Sequence, residues 1–207
     1  MNNHKSKGFT LLELMVTIVV VSIILGIGVP SFVRTFQTSR MAGATNDLIA
    51  SIHLARSEAV KRRAPVTLCS SIDPFAAAPT CNLGGNFAGW IVFVDDADLN
   101  GNGQPDGNIA IDPGEVVLKV HQPFPQQITT RSNAAYASFS SNGFRRDGPV
   151  GPSVTMMLFC DSRGNVDQGG SGSAARMLMI PVTGRPQIGR VVADIDFAMA
   201  QVGGTCP

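Results

Sequence analysis

Positions 9–29 are apolar almost throughout, and the pattern of apolar and polar residues then changes twice along the chain. The first run, from Phe9 to Val29, is 21 residues long and holds one charge, Glu13. As a helix it spans roughly 30 Å, the thickness of a bilayer core. Further on, Leu48, Ile52, Ala55 and Ala59 recur at helical spacing on one face, while Asp47, Ser51, Glu58, Lys61 and Arg62 lie off that stripe. Pro65 closes the segment. The pattern predicts one long helix over 9–63, its first half in a membrane and its second half packed on a sheet. Gly26, Gly28 and Pro30 predict a kink or local melting between the halves, because Gly weakens a helix interior and Pro removes a backbone donor.

After Pro65 the period shortens. Residues 66–70, 90–94, 116–120, 137–140, 155–160 and 177–182 are short apolar or β-branched runs separated by Gly, Pro, Asn and Asp. Strands of this kind predict an antiparallel sheet. The fold class expected is α+β, a long N-terminal helix on antiparallel sheet. Residues 164–174, rich in Gly and Ser, read as a flexible loop.

Composition narrows the function. The 207 residues are 44% hydrophobic and only 15% charged, with a net charge of +1. That excludes a charge-rich disordered chain and any strong global field for nucleic acid or acidic lipid. Three His, at 4, 53 and 121, stand without a readable partner, and no Ser/His/Asp set, phosphate loop or carboxylate pair is visible. No enzyme activity and no cofactor are expected.

The N-terminus is more specific. Lys5 and Lys7 precede the apolar run with no acid beside them, which favours an N-terminus that stays in the cytoplasm. The run is too long for a secretory signal, and no Ala-x-Ala follows it. Glu13 lies about one turn into the helix. It either snorkels to the interface or has a function, the default for an intramembrane charge.

Gly8, Phe9, Thr10 and Glu13, set before an apolar helix with Pro30, resemble the class III signal of type IV pilins and type II secretion pseudopilins. The resemblance implies cleavage after Gly8 by a prepilin peptidase and N-methylation of Phe9. It also implies that Glu13 pairs with the N-terminal amine of a neighbouring subunit during assembly. A second set of residues resembles the GspH/FimT family of minor pilins and pseudopilins. These are 55–62, 66–69, 89–95, 139–143 and Gly184 with Arg185, in that order. The family implies a type IV pilin-like fold and a structural subunit of a type IV pilus or type II secretion pseudopilus. Its implied partners are other pilin subunits, the peptidase, an inner-membrane assembly platform and membrane lipid. Its implied location is the bacterial inner membrane, with a periplasmic or extracellular globular part. The domains are then a leader at 1–8, a membrane and assembly helix at 9–29, an amphipathic continuation at 30–63 and a β-rich globular domain at 64–207.

Three further features bear on sites. Cys69, Cys81, Cys160 and Cys206 fall on the side expected to be oxidising, and four cysteines permit three pairings. Bonds 69–81, closing a short loop, and 160–206, fastening the C-terminus to a strand, are favoured over a zinc site, which would want Cys-x-x-Cys or a nearby His. Asp96, Asp98 and Asn100 stand at alternating positions before Gly101, like the first half of a calcium loop. The twelfth position is Gly107 rather than Glu, so a polar hairpin turn is the favoured reading and calcium the alternative. Charge is also segregated: residues 90–115 carry six acids and no base, while 131–190 carry seven Arg and three acids. Some members of the resembled family bind DNA through an Arg-containing C-terminal motif. Here Arg185 keeps the first Arg, Gln187 stands where a second is expected, and Arg190 follows three residues later. DNA uptake is the alternative function, with Arg185 and Arg190 as its candidate residues.

Overall fold

A computed structural model of the chain describes residues 8–82, 84, 87, 89–98, 107–124, 127–170 and 172–206. It divides into two compact units, Met1–Arg40 and Met41–Pro207. One helix, α1 (Leu11–Arg62), supplies nearly all of the first and the opening element of the second.

In the first unit the helix starts on a cap that the sequence encodes. The Glu13 amide donates to Thr10 Oγ1 at 3.2 Å, the spacing of a capping box. Leu11, Leu12, Ile18, Ile24 and Ile27 are all more than half exposed, as a helix built to meet lipid must be. Its hydroxyls turn inward on the backbone: Thr17 donates to the Leu14 carbonyl and Ser22 to the Ile18 carbonyl. The melting expected at Gly26, Gly28 and Pro30 does not occur. The helix runs unbroken through all three, because a proline costs one hydrogen bond while the turns on either side keep theirs.

In the second unit α1 is followed by β1 (Val66–Ser71), β2 (Gly89–Val94), β3 (Val117–His121), β4 (Thr129–Ser132), β5 (Tyr136–Phe139), β6 (Arg145–Arg146), β7 (Met156–Cys160), β8 (Arg176–Met179), β9 (Gln187–Gly189) and α2 (Val192–Val202). They form two antiparallel sheets, one ordered β3-β2-β1-β5-β6 and one ordered β4-β7-β8-β9. Alternation in β1, β2 and β5 sorts the side chains. Val66, Leu68, Trp90, Val92, Ala137 and Phe139 join Leu48, Ile52, Ala55 and Ala59 of α1 in the main core. Cys69, Ile91, Phe93 and Tyr136 form a second core on the far face with Ile109. Met157, Phe159 and Leu178 of the second sheet also enter the main core, and Met156, Leu158 and Met177 on its other face pack under α2.

Several expectations change. Ser51, read as off the buried stripe, is fully buried: it donates to the Asp47 carbonyl and accepts the Trp90 indole N–H at 2.9 Å. A small hydroxyl is tolerated there because both its hydrogen bonds are made. Strands β4, β6 and β9 were not foreseen, being short and polar, and neither was α2. That helix packs Ile195 and Ala198 under the second sheet and ends at Gly203 in the left-handed conformation (φ 69°), whose N–H caps the Met199 carbonyl. Within 164–174, read as a flexible loop, the described residues make hydrogen bonds: Asp167 is bridged to Ser173, and Ser173 Oγ donates to Asn165 Oδ1.

Tyr136 shows how the long loops are held. Its phenol accepts the Gly148 N–H at 2.7 Å and donates to the Gly151 carbonyl. Burial pushes the phenol above its ordinary range. A raised folded value means that this contribution is fully present below about pH 10 and is lost as the pH rises through the folded value. Tyr136 is the single tyrosine, so the ultraviolet phenolate band reports it alone. The band is expected to grow only above the usual tyrosine range and together with loss of native circular dichroism. Tyr136→Phe is expected to destabilise by about 1–2 kcal/mol, since the Gly148 amide loses its acceptor. Titration of Tyr136 as a free phenol would overturn the assignment.

Candidate functional site

The candidate residues fall into four places. At the start of the chain Gly8 and Phe9 precede the helix, and Phe9 is 80% exposed. Glu13 lies in the first turn of α1, three residues past its cap, where a carboxylate also complements the positive end of the helix dipole. The backbone N-terminus that cleavage after Gly8 would create lies one residue before Thr10.

The cysteines pair as 69–81 and 160–206, closing separations of 12 and 46 residues. The second bond ties the end of the chain, just after α2, to β7.

In the acidic segment the carboxylates mostly serve the backbone. Asp95 is buried, accepting from Thr67 Oγ1 at 2.9 Å and from the Ile109 amide at 3.3 Å. Glu115 accepts the Ala97 amide at 3.0 Å and the Asp112 amide at 2.9 Å, closing the connection between β2 and β3. Burial outweighs these two hydrogen bonds and raises its carboxyl above the usual range. Asp96 and Asp98 are exposed; Asn100 lies outside the described residues. Among the described residues no three acidic, His or Cys side chains converge as a metal site would require.

Arg185 and Arg190 are not brought together. Arg185 is exposed in the turn before β9, and Arg190 follows its other end, half-buried, donating to the Ser173 carbonyl at 3.5 Å. Arg190 and Arg163 both lie near Arg176, a grouping that brings together residues far apart in sequence.

The residues that carried the GspH/FimT resemblance do meet. Arg56 Nε on α1 donates to the Gly143 carbonyl at 2.9 Å. A Cβ on Gly184 would lie 2.6 Å from that same carbonyl oxygen and 3.2 Å from the Phe139 ring. Gly143 and Gly184 both have positive φ, 77° and 70°. These elements therefore form a latch between helix, first sheet and the turn after β8. The contacts they make are packing contacts and one hydrogen bond. His121 is also structural: it stacks on Trp90 at 3.8 Å and lies 3.5 Å from Asp47 of α1. His53 is exposed on α1.

Comparison with known proteins adds the following. The family described as type II transport protein GspH matches residues 44–180, and the prokaryotic N-terminal methylation motif matches residues 3–29. No curated protein sequence matches the chain. Among solved structures it is similar to the type IV minor pilin FimU of Pseudomonas aeruginosa strain PAO1 in two crystal forms. One has 21% identity and a TM-score of 0.44, covering 73% of this chain and 89% of FimU. The other has 19% identity and a TM-score of 0.40, covering 72% and 91%. With its methylation motif, exposed apolar helix and family match over most of the globular unit, the chain belongs to the GspH family and is a membrane-anchored minor pilin or pseudopilin.

Proposed function

We propose that the chain is made as a precursor at the bacterial inner membrane, cleaved after Gly8 by a prepilin peptidase, N-methylated at Phe9 and assembled into a type IV pilus or type II secretion pseudopilus. The assembly platform draws it from the membrane, and its globular unit faces the periplasm or beyond. The observation that carries this reading is Glu13, the one charge in the exposed apolar run 9–29, held in the first capped turn. A carboxylate in lipid costs several kcal/mol unless it finds a partner. The amine of a neighbouring subunit's Phe9 removes that cost only in the filament, so assembly is favoured over the isolated membrane state. No catalytic step is part of this role.

Mass spectrometry of the mature protein is expected to show a chain beginning at N-methylated Phe9. Gly8→Val is expected to leave the precursor uncut. Glu13→Val is expected to be cut normally yet enter filaments poorly, because the amine then lacks its partner. A mature chain that keeps Met1, or a Glu13→Val subunit that assembles as well as wild type, would sink the proposal.

The DNA-uptake reading has less support. Arg185 is exposed and isolated from Arg190 by β9, so the two do not present one continuous phosphate track. Calcium at Asp96, Asp98 and Asn100 is a further alternative; of these Asp96 and Asp98 are exposed and Asn100 lies outside the described residues.

A further inference from the structure

Two like charges lie near each other at the end of a strand pairing in the second sheet. The β8–β9 pairing ends at Met177 and Gly189, and the residues just beyond it, Arg176 and Arg190, lie close enough for their charges to interact. Neighbouring like charges are destabilising, and guanidinium groups stay charged. A third guanidinium, Arg163, lies near Arg176 from the turn after β7. Asp161 is paired with Arg163 through Nε at 3.0 Å and Nη2 at 2.5 Å, and it also accepts the Arg163 amide. That pair is neutral. It leaves Arg176 and Arg190 near each other with no ion pair among the described residues. Both are half-buried, and the Nε atoms of both are buried without a hydrogen-bond partner.

We infer that Arg176 and Arg190, buttressed by Arg163, form an oxyanion site that takes a carboxylate or phosphate group between the two guanidinium forks. Each fork offers parallel N–H donors, which suit a planar carboxylate or two phosphate oxygens. Burial and the two neighbouring guanidiniums hold Arg176 below the usual arginine range, as expected of a cation lacking its counter-charge. The site lies in the globular unit, away from Gly8 and Phe9 in sequence, and does not rest on the proposed processing. One source of carboxylates is a second copy of this chain, whose Asp96 is exposed. The other source is a phosphate group.

The test uses the full chain in nonionic detergent, with thermal unfolding followed in chloride, inorganic phosphate and glutarate at matched ionic strength. An anion present at ten times its dissociation constant is expected to raise Tm by about 4 °C over chloride. Arg176→Met and Arg190→Met are each expected to abolish that rise. In chloride Arg176→Met is expected to melt at or above the wild-type temperature, since it removes a repulsion. A purely structural arginine would instead give a lower Tm when replaced. A response to glutarate and phosphate identifies a carboxylate-accepting site; a response to phosphate alone identifies a phosphate site. No rise over chloride for either anion in wild type, or an equal rise in both variants, overturns the inference.

Discussion

Gly184→Ala is expected to lower the stability of the globular unit by roughly 3 kcal/mol or more. Two costs add. The left-handed backbone at φ 70° costs an L side chain about 1–2 kcal/mol. The new Cβ would also lie 2.6 Å from the Gly143 carbonyl oxygen, which already accepts a hydrogen bond from Arg56 Nε at 2.9 Å. Overpacking of this kind costs about 1–3 kcal/mol. Gly203→Ala is the control: φ is 69° but nothing lies within 4 Å of its Cβ, so only the conformational cost of about 1–2 kcal/mol applies. Urea unfolding followed by the single tryptophan, Trp90, measures both. Equal losses for the two variants would show that the close approach at Gly184 carries no cost.

Removing the Cys160–Cys206 bond with Cys160→Ala and Cys206→Ala is expected to destabilise by about 4 kcal/mol, the larger effect of the two disulfides. The bond closes a separation of 46 residues against 12 for Cys69–Cys81, and chain-entropy estimates for loops of these lengths are about 4 and about 3 kcal/mol. Cys160 is also buried under α2, beside Ile195 and Ala198, so its loss releases the helix as well as the tail. The signature that separates this from general loosening is local: amide exchange is expected to rise first in Val192–Val202 and in β7, with β1 and β2 retaining protection. Uniform loss of protection across both sheets would contradict the argument.

Much of this was legible before the structure. The apolar run, the α1 stripe and the strands near 66–71, 89–94, 136–139 and 156–160 all follow from periodicity, because these elements are long or fully buried and their side chains report one environment. The pairing of cysteines followed from loop length and the position of Cys206. What escaped has a common cause. Strands β6 and β9 are two and three residues long and polar, and they exist only because β5 and β8 offer unpaired edges. The latch of Arg56, Gly143 and Gly184 joins residues far apart in sequence, so its members stood out as fragments of a family pattern without a stated role. The second helix had a readable signal, Ile195 and Ala198 followed by two glycines, which the run of strands before it obscured. The Arg176 and Arg190 pair could not be seen without the pairing of β8 and β9.

The sheet edges have a consequence for polymerisation. In the proposed assembly role, growth by strand addition would compete with growth through the apolar helix, because an open edge templates pairing with another copy. The four edge strands here are β3, β6, β4 and β9, and the longest is five residues. β3 carries Lys119 and meets β2 across a register irregularity at Val92 and Phe93, which twists an edge away from flat pairing. β6 is Arg145 and Arg146 and nothing else, and β4 carries Arg131 at the position where Gly204 of the C-terminal tail lies against it. Like charges that would face each other in an edge-to-edge dimer make that dimer unfavourable. The charged edges β3, β4 and β6 therefore disfavour strand pairing between globular units, whereas β9, Gln187–Gly189, carries no charge.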